Sequence, residues 1–347
     1  MLRCEVCGRA YPIVGGIPRM LPDSAEEFAD FMEGFGVPRM TCRESELRMR
    51  LFRELHGATR DVFTFEWLRY PGPGYEQNCS LFERVTRFDR QTIAGKTILD
   101  AGCGMGRFME VAAGLGAHVV GIDLSRSVDR AYRETRFKPQ IDLIQGDLLN
   151  PPLRSECFDA IYSIGALNHT PNTQMGFQAI SRLLHPEGRI SISVDHPFEP
   201  EFRVSWTARK SARVSRWASS GTRFFTTRMP HPLLHHLSMA AVPLGWLKHV
   251  ADTNRLLKLL LAPVLLLPIS AHENRNERLR ETFEWLAPKH QWRHTTNEVM
   301  SWFEEEGFEV IHPLDQPASV MGIRSSANET QSQDMIAERS QHAYAGR

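Results

Sequence analysis

The sequence has no excess of charge of either sign, because 41 Lys and Arg residues balance 41 Asp and Glu residues. Bulk charge therefore gives no indication of a polyanionic partner. Cysteine is also scarce, with six residues scattered over 347 positions. This pattern argues against a secreted scaffold held together by disulfides and favours a reducing compartment, so we expect a cytoplasmic protein.

Long apolar runs are missing as well. No apolar segment follows the N-terminus, so we expect no signal peptide. The most apolar stretch, residues 256–270, is shorter than the roughly 20 residues that span a bilayer as a helix. Pro263 and Pro268 also interrupt it. We therefore expect no transmembrane span, and we interpret this stretch as a buried cap helix in preference to a membrane contact.

Acidic side chains are absent between residues 202 and 251, whereas the same stretch contains eight Arg and Lys residues and three Trp residues. A basic stretch with aromatics has three functional interpretations: contact with nucleic acid, with an anionic membrane surface, or with an acidic or lipid-linked substrate. A solvated cap without such a partner is the fourth interpretation. The sequence leaves all four open.

The most informative stretch that is present spans residues 97–125, TILDAGCGMGRFMEVAAGLGAHVVGIDLS. Its pattern predicts a strand, a glycine-rich turn, a helix and a second strand that ends at an acid. Glycine allows the sharp turn and the close approach of the backbone to a ligand. An acid at the end of the second strand, here Asp123, can accept hydrogen bonds from both hydroxyls of a ribose.

The spacing of this loop differs from that of dinucleotide-binding loops, because it reads D-x-G-x-G-x-G and begins at Asp100. An acid beside a phosphate would repel it, but an acid suits a ligand amine. The loop resembles motif I of the class I S-adenosylmethionine (SAM) methyltransferases, whose ligand carries an ammonium, a sulfonium and an adenosine but no phosphate. The resemblance implies an α/β fold with a Rossmann-like, doubly wound, seven-stranded and mostly parallel sheet.

Further signals follow in the order that this family shows. We predict strands at 141–144 and 158–163, a helix at 173–184 and a fifth strand in HPEGRISISV, with Gly188 as the C-terminal cap of the helix. The segment FDAIYSIGALNHTPNT resembles the ubiquinone-biosynthesis-like group, also called methyltransferase type 11. The resemblance covers roughly residues 60 to 195 and, with looser motifs, residues 281 to 325.

SAM is the cofactor that this resemblance implies. By resemblance, Asp100 lies near the ligand's amino group, Asp123 holds the ribose and Asp147 binds the adenine edge. Phe65 and Trp67 belong to an aromatic helix that folds over the pocket, or alternatively pack that helix against the sheet. The full set of implied cofactor-binding residues is Asp100, Gly102, Gly104, Gly106, Arg107, Asp123, Leu124, Asp147, Leu148, Ser163, Phe65 and Trp67.

Methyl transfer is an in-line displacement at an already activated carbon, so the protein needs to align donor and acceptor and sometimes to remove a proton. No catalytic triad is evident. His169, which follows the fourth strand, is the candidate base, since histidine titrates near neutrality; its alternative role is to orient the loop. Asp195 and His196 end the fifth strand and point toward the same cleft, because ligands bind at the carboxyl ends of parallel strands.

The N-terminal stretch combines Cys4-x-x-Cys7 with YPIVGGIPRML, which resembles the second half of a Trm112-like zinc ribbon. Two thiolates do not complete a tetrahedral zinc site. Either the start is truncated, or the chain keeps a metal-free remnant, or Cys42 or His56 completes the site. We favour the first two alternatives and predict no metal in this chain.

The stretch 281–311 resembles a bacterial methyltransferase group that has an insertion at this place. It predicts a helix at 297–306 with Thr296 as its cap, followed by a sixth strand at 308–311. The predicted units are a half ribbon (1–22), a helical segment covering the SAM pocket (23–92), a SAM-binding core (93–195), an inserted helical substrate lid (196–291), the C-terminal part of the core (292–327) and a disordered tail (328–347).

The sequence thus predicts a SAM-dependent methyltransferase acting on a small acceptor. The apolar lid favours a hydrophobic or lipid-linked acceptor, and peripheral membrane contact is compatible with it. Two alternatives stand beside this one: an RNA-modifying methyltransferase that uses the basic stretch, which the balanced charge disfavours, and a non-catalytic subunit with the SAM fold. The acceptor and the methylated atom are not specified by the sequence.

Overall fold

The computed structural model describes residues 1–4, 8–36, 43–197, 221–252 and 267–324. The strands within these ranges are β1 (Leu2–Arg3), β2 (Ala10–Tyr11), β3 (Ile13–Val14), β4 (Ile17–Pro18), β5 (Thr97–Ala101), β6 (His118–Asp123), β7 (Ile141–Gln145), β8 (Phe158–Ile164), β9 (Leu184–Ser193), β10 (Phe308–Pro313) and β11 (Ser319–Arg324). The helices are α1 (Ser24–Glu27), α2 (Ala29–Gly34), α3 (Arg43–Arg69), α4 (Tyr75–Thr86), α5 (Arg90–Ile93), α6 (Arg107–Gly114), α7 (Val128–Thr135), α8 (Thr173–Ser181), α9 (His231–Asp252), α10 (Arg275–Leu286) and α11 (Thr296–Glu305).

The central sheet has the strand order β10-β11-β9-β8-β5-β6-β7. Strand β11 is antiparallel to both of its neighbours, and the other pairs are parallel. The chain winds outward from β5 in one direction and from β8 in the other, so the order reverses between these two strands. A cleft forms at such a switch point, outside the carboxyl ends of the strands. The predicted α/β, seven-stranded, mostly parallel fold is confirmed.

Helices cover both faces of the sheet because successive strand residues point to opposite sides. Ile98 and Tyr162 lie on one face, in a buried cluster with residues of α4 and α6. Leu99 and Ile161 lie on the other face, in a second buried cluster with residues of α8 and α11. This two-layer core fixes the strand ends that carry the site.

The predicted role of Gly188 as a helix cap is wrong. Helix α8 ends at Ser181 with Arg182 as its C-cap, and Gly188 lies inside β9. The pairing of β8 with β9 is irregular there, and Glu187 has the left-handed φ of 62°. A Cβ on Gly188 would lie 2.7 Å from a Leu184 carbon, so the glycine is needed for close packing within the strand.

Helix α11 begins one residue earlier than the sequence predicts. Its N-cap is Thr295, whose hydroxyl oxygen accepts a hydrogen bond from the Glu298 amide at 3.2 Å. The following strand β10 matches the predicted sixth strand and extends it to Pro313.

The N-terminal segment packs along the outer edge of β7. Arg19 is 1% exposed, bridges Gln145 of β7 and also forms an ion pair with Asp129 of α7. This cover protects an otherwise open strand edge. Among the described residues no cluster of His, Cys, Asp or Glu has metal-binding geometry, and Cys7 and Cys42 lie outside them.

Other predictions also fall outside the described residues. These are residues 202–220 of the basic stretch, residues 256–266 of the apolar stretch, and the predicted tail at 328–347. The part of the predicted lid that is described consists of a helical turn at 221–226 and helices α9 and α10.

Candidate functional site

A cleft opens at the carboxyl ends of β5, β6 and β8, beneath helix α3. Its floor is the glycine loop after β5, and its sides are the loops after β6, β7 and β8. Its lining includes His56, Thr59, Arg60, Phe63, Trp67, Gly102, Gly104, Met105, Arg107, Asp123, Leu124, Ser125, Asp147, Leu148, Gly165, Ala166, His169, Pro171, Arg280 and Glu284. Eight of the predicted cofactor residues lie in this lining.

The glycine loop is held against the end of β6 by hydrogen bonds. The amide of Gly104 donates to Oδ2 of Asp123 at 2.9 Å, and the amide of Gly102 donates to the Ile122 carbonyl at 2.8 Å. Gly102 has a φ of 91°, and a Cβ there would lie 2.1 Å from Cβ of Ala166. A glycine is therefore required at this position both by conformation and by space.

The carboxylate of Asp123 is held in place by several hydrogen bonds from its neighbours. Its Oδ1 accepts hydrogen bonds from the Ser125 amide at 2.8 Å and the Ser125 hydroxyl at 2.6 Å. Burial raises the pKa of Asp123, while these donors act in the opposite direction by stabilising the carboxylate. A carboxylate has about four acceptor sites. Oδ1 already accepts both hydrogen bonds from Ser125 and Oδ2 accepts one from Gly104, so Oδ2 keeps a site for a hydroxyl donor.

Asp100 and Ser163 do not reach the cleft, although both were predicted to bind the cofactor. Asp100 is 2% exposed and accepts a hydrogen bond from the Tyr162 hydroxyl at 2.9 Å, and burial raises its pKa to about 8. The Ser163 hydroxyl donates to the Ala101 carbonyl at 2.7 Å. Both side chains join β5 to β8 behind the glycine loop. Gly106, with a φ of 86°, is the N-cap of α6 and also lies outside the lining.

The third acid, Asp147, lines the cleft after β7. Its Oδ1 accepts from the Leu149 amide at 3.0 Å, and its Oδ2 lies 3.5 Å from Nε2 of His56. Burial lowers the pKa of His56, and the charge of Asp147 opposes that effect. Leu124 and Leu148 flank this end of the cleft, which therefore combines an acceptor of hydrogen bonds with apolar walls.

Arg107 places an unpaired positive charge in the cleft. In the described part of the chain no hydrogen bond or ion pair joins its guanidinium to another residue, and the group lies 5.5 Å from the Trp67 ring centre. Burial and the charge of Arg280 lower the pKa of Arg107 to about 10. By contrast, Arg280 is bound by Glu284 at 2.7 Å and by Glu277 at 3.0 Å. Arg107 is therefore available as a partner for an anionic group in the cleft.

Phe65 lies away from the cleft. Its ring packs 5.3 Å from that of Phe283 and belongs to the cluster that joins α3 to α9 and α10. Residues 65 and 67 are two positions apart on a helix, so their side chains point in nearly opposite directions. Phe65 therefore packs α3 against helices α9 and α10 and not, as the alternative prediction had it, against the sheet, whereas Trp67 faces the cleft.

Of the three predicted catalytic residues, only His169 lines the cleft. It is 4% exposed, and its Nδ1 lies 3.0 Å from the carbonyl oxygen of His290. A carbonyl can only accept, so Nδ1 carries the proton and Nε2 of the neutral ring has a free lone pair. Asp195 is bonded to Gln291 at 3.4 Å, and burial raises its pKa. Neither Asp195 nor His196 belongs to the lining.

The sequence analysis missed two groups of lining residues. The first is on α3, where His56, Thr59, Arg60 and Phe63 recur at helical spacing with the predicted Trp67 and form one face over the cleft. That spacing was available as a signal. The second group, Arg280 and Glu284, comes from α10, and its approach to Trp67 depends on tertiary packing.

Comparison with known proteins also identifies a domain of the methyltransferase class that the sequence predicts. Residues 99–192 match the family model described as a methyltransferase domain. This range begins in β5 and ends in β9, and it contains the glycine loop, Asp123, Asp147 and His169. The predicted methyltransferase class, with SAM as its cofactor, is confirmed for this domain.

Similar proteins include several methyltransferases. A sterol 24-C-methyltransferase of Gibberella zeae is 28% identical over 150 residues, which are 40% of this chain and 40% of that protein. Phosphoethanolamine N-methyltransferase 2 of Caenorhabditis elegans is 29% identical and covers 38% of this chain and 31% of that protein. A SAM-dependent methyltransferase structure from Mesorhizobium loti is 33% identical over 30% of this chain and 49% of its own, with a TM-score of 0.29.

These matches span about two fifths of the curated relatives' own length. Helices α3, α9 and α10 lie outside the matched domain. Within the described residues, no helix has both the length and the apolar character needed to cross a membrane.

Proposed function

We propose that the protein transfers a methyl group from SAM to a small acceptor that is hydrophobic or lipid-linked. The observation that carries this proposal is the pairing of a glycine loop, pinned to Asp123, with the unpaired guanidinium of Arg107 in one cleft. The cleft thus offers a carboxylate for a ribose and a cation for an amino-acid carboxylate, and SAM contains both of these groups.

The remaining donor contacts follow from the same arrangement. Asp147 would accept a hydrogen bond from the adenine amino group, with Leu124 and Leu148 on either side of the ring. Gly102 and Gly104 would allow the backbone to approach the ligand closely. Trp67 would cover the amino-acid end. Asp100, Gly106 and Ser163 would act indirectly, by holding the loop and strands in place.

SAM supplies a methyl group on a sulfonium, so the protein's main tasks are alignment and, for an O–H or N–H acceptor, removal of a proton. We assign proton removal to Nε2 of His169, because Nδ1 is held by the His290 carbonyl. Asp195 is bonded to Gln291 and lies outside the cleft lining, so its catalytic role stays a prediction. For His196 a catalytic role stays a prediction.

Two observations support an apolar acceptor. The cleft lining includes the apolar side chains of Phe63, Met105, Ile164 and Pro171, and the Phe63 ring centre lies 4.8 Å from that of His169. The similar proteins also include sterol 24-C-methyltransferases, such as that of Gibberella zeae. The proposal includes a cytoplasmic protein, peripheral membrane contact and no nucleic-acid partner. It also retains residues 1–22 as a remnant of a Trm112-like ribbon.

Calorimetric titration with SAM and with S-adenosylhomocysteine tests the donor site. A ligand at 100 times its Kd adds about 2.7 kcal/mol of stability. We expect this gain for the wild type, its loss in Asp123→Ala, and its retention in Asp142→Ala, which removes an exposed acid from the neighbouring strand. Absence of binding by the wild type would contradict the proposal.

Transfer of label from methyl-labelled SAM into extracts tests the acceptor class. We expect the labelled product in the lipid fraction. Label confined to small charged metabolites would overturn the apolar acceptor. Label in RNA, with affinity for RNA that falls steeply with salt, would favour the RNA-modifying alternative. SAM binding without any transfer would favour a non-catalytic subunit.

A further inference from the structure

Helix α9 exposes half of its circumference, and that half has no charged side chain. Leu233, Leu237, Met239 and Trp246 are between 43% and 53% exposed. They alternate with other uncharged exposed residues, including prolines, while the opposite half is buried against α10. A surface helix ordinarily shows charged residues on its outer face. The exposed apolar half of α9 is therefore a candidate binding surface.

The helical turn before α9 adds two exposed aromatic rings. Phe224 and Phe225 are 58% and 65% exposed. The turn is anchored, because Arg223 donates to the Trp285 carbonyl at 2.9 Å and the Thr226 hydroxyl donates to the Leu286 carbonyl at 2.8 Å. The rings are therefore held outward by a fixed backbone.

The charge around these side chains has one sign. Residues 221–251 include Arg223, Arg228 and Lys248 but no Asp or Glu. Arg228 is exposed, and its guanidinium lies 4.1 Å from the Phe224 ring centre. Within residues 221–251, the charged side chains near this apolar face are therefore all cations, and the acid Asp61 lies on α3, across the groove that Met239 lines. An apolar face with cations beside it matches the interface of a bilayer that contains anionic lipids.

We propose that the exposed half of α9 together with Phe224 and Phe225 is a membrane-docking surface that inserts into the interface of an anionic bilayer. A bilayer fits better than a protein partner, since protein interfaces need hydrogen-bonding groups and this face presents almost none. Met239 also lines an open groove between α3 and α9, so the surface continues into an apolar recess of about 990 Å³ that includes Phe65 and Leu68.

This surface specifies the peripheral membrane contact proposed above and does not depend on SAM binding or methyl transfer. Only its purpose, uptake of a lipid-like acceptor, rests on the proposed methyl transfer. Sedimentation of the full chain with vesicles tests it. One set of vesicles contains phosphatidylcholine alone, and the other also contains phosphatidylglycerol. We expect binding to the mixed vesicles and weaker binding at high salt.

Two variants locate the surface. The double variant Leu237→Gln, Trp246→Gln removes two half-exposed apolar side chains and should weaken binding to mixed vesicles about tenfold. Arg228→Gln should reduce the preference for anionic vesicles. The matched control Met175→Gln changes an apolar side chain that is 56% exposed on α8, and it should bind as the wild type does.

Failure of the wild type to bind either kind of vesicle would overturn the proposal, as would equal loss of binding in Met175→Gln. Self-association in the ultracentrifuge that the double variant abolishes, without vesicle binding, would assign the face to a second copy of the chain instead. SAM titration of the same samples separates the two proposals: vesicle binding without SAM binding would sink only the proposed function, and the reverse would sink only the docking surface.

Discussion

Asp100 illustrates how burial changes the chemistry of a single acid. Its ordinary pKa of 3.8 is raised to about 8 because the carboxyl is desolvated. Between pH 3.8 and about 8, Asp100 therefore stays protonated in the folded protein, whereas it is ionised in the unfolded chain. Its contribution to stability is present at low pH and is lost as the pH rises toward 8.

We expect Asp100→Asn to become progressively more stable than the wild type as the pH rises. Asn can still accept the Tyr162 hydrogen bond, but it has no buried charge to ionise. Between about pH 5 and about pH 9 the difference in unfolding free energy should grow by at least about 1.4 kcal/mol, the value of one pKa unit. Urea denaturation across this range measures it, and a constant difference would contradict the raised pKa.

His169 carries the catalytic prediction at the residue scale. His169→Gln should lower the rate of label transfer into the lipid fraction by about 100-fold. SAM affinity should change little, because the other donor contacts remain. The control is His294→Gln, since His294 lies outside the cleft lining and is bonded to Glu298 and Thr173. Equal loss of SAM binding and transfer would show a structural role.

At the scale of elements, the N-terminal segment positions helix α3. Asp23 is 1% exposed and accepts hydrogen bonds from Arg60 at 2.9 and 3.1 Å and from Arg53 at 3.1 Å. Arg60 lines the cleft, whereas Arg53 does not. The segment that precedes the core thus sets the placement of a cleft residue on a helix that the matched domain does not include.

Asp23→Ala should therefore affect both stability and ligand binding. Losing hydrogen bonds between charged groups costs about 1.5–3 kcal/mol, and a displaced Arg60 should raise the Kd for SAM about tenfold. Glu26→Ala removes an exposed partner of Arg53 and serves as the control, with little effect on either quantity. Unfolding curves and calorimetry measure the two effects, and an unchanged Kd in Asp23→Ala would refute the positioning role.

The core elements were predictable from the sequence because glycine spacing and short apolar runs depend on local geometry. The burial of Asp100 also follows from the alternation of side chains along β5, because Asp100 lies on the same face of the strand as Ile98, which packs in the core. The lining from α10 was not predictable in this way, because Arg280 reaches Trp67 across more than 200 positions of sequence. Gly188 was misassigned because a glycine after a helix also fits a cap, and only packing against Leu184 separates the two roles.

At the scale of the whole molecule, three separate parts of the chain meet around Trp67. Arg107 at the start of α6 lies 5.5 Å from its ring centre, and Arg280 from α10 lies 5.7 Å from it. Glu66 of α3 is buried beside Arg280 at 3.5 Å. Burial lowers the pKa of Arg107, and the repulsion between the two guanidinium groups lowers it further. A ligand carboxylate at Arg107 would remove that repulsion.

SAM binding should therefore stabilise all three parts together. In hydrogen exchange, we expect slower exchange of amides in the glycine loop, in α3 near residue 67 and in α10, with no change in β10 at the far edge of the sheet. Trp67→Leu should retain slower exchange in the loop and lose it in α10, because the shared ring is gone. If only the glycine loop of the wild type were protected, α3 and α10 would not respond to the donor. Donor binding would then involve only the matched domain, residues 99–192.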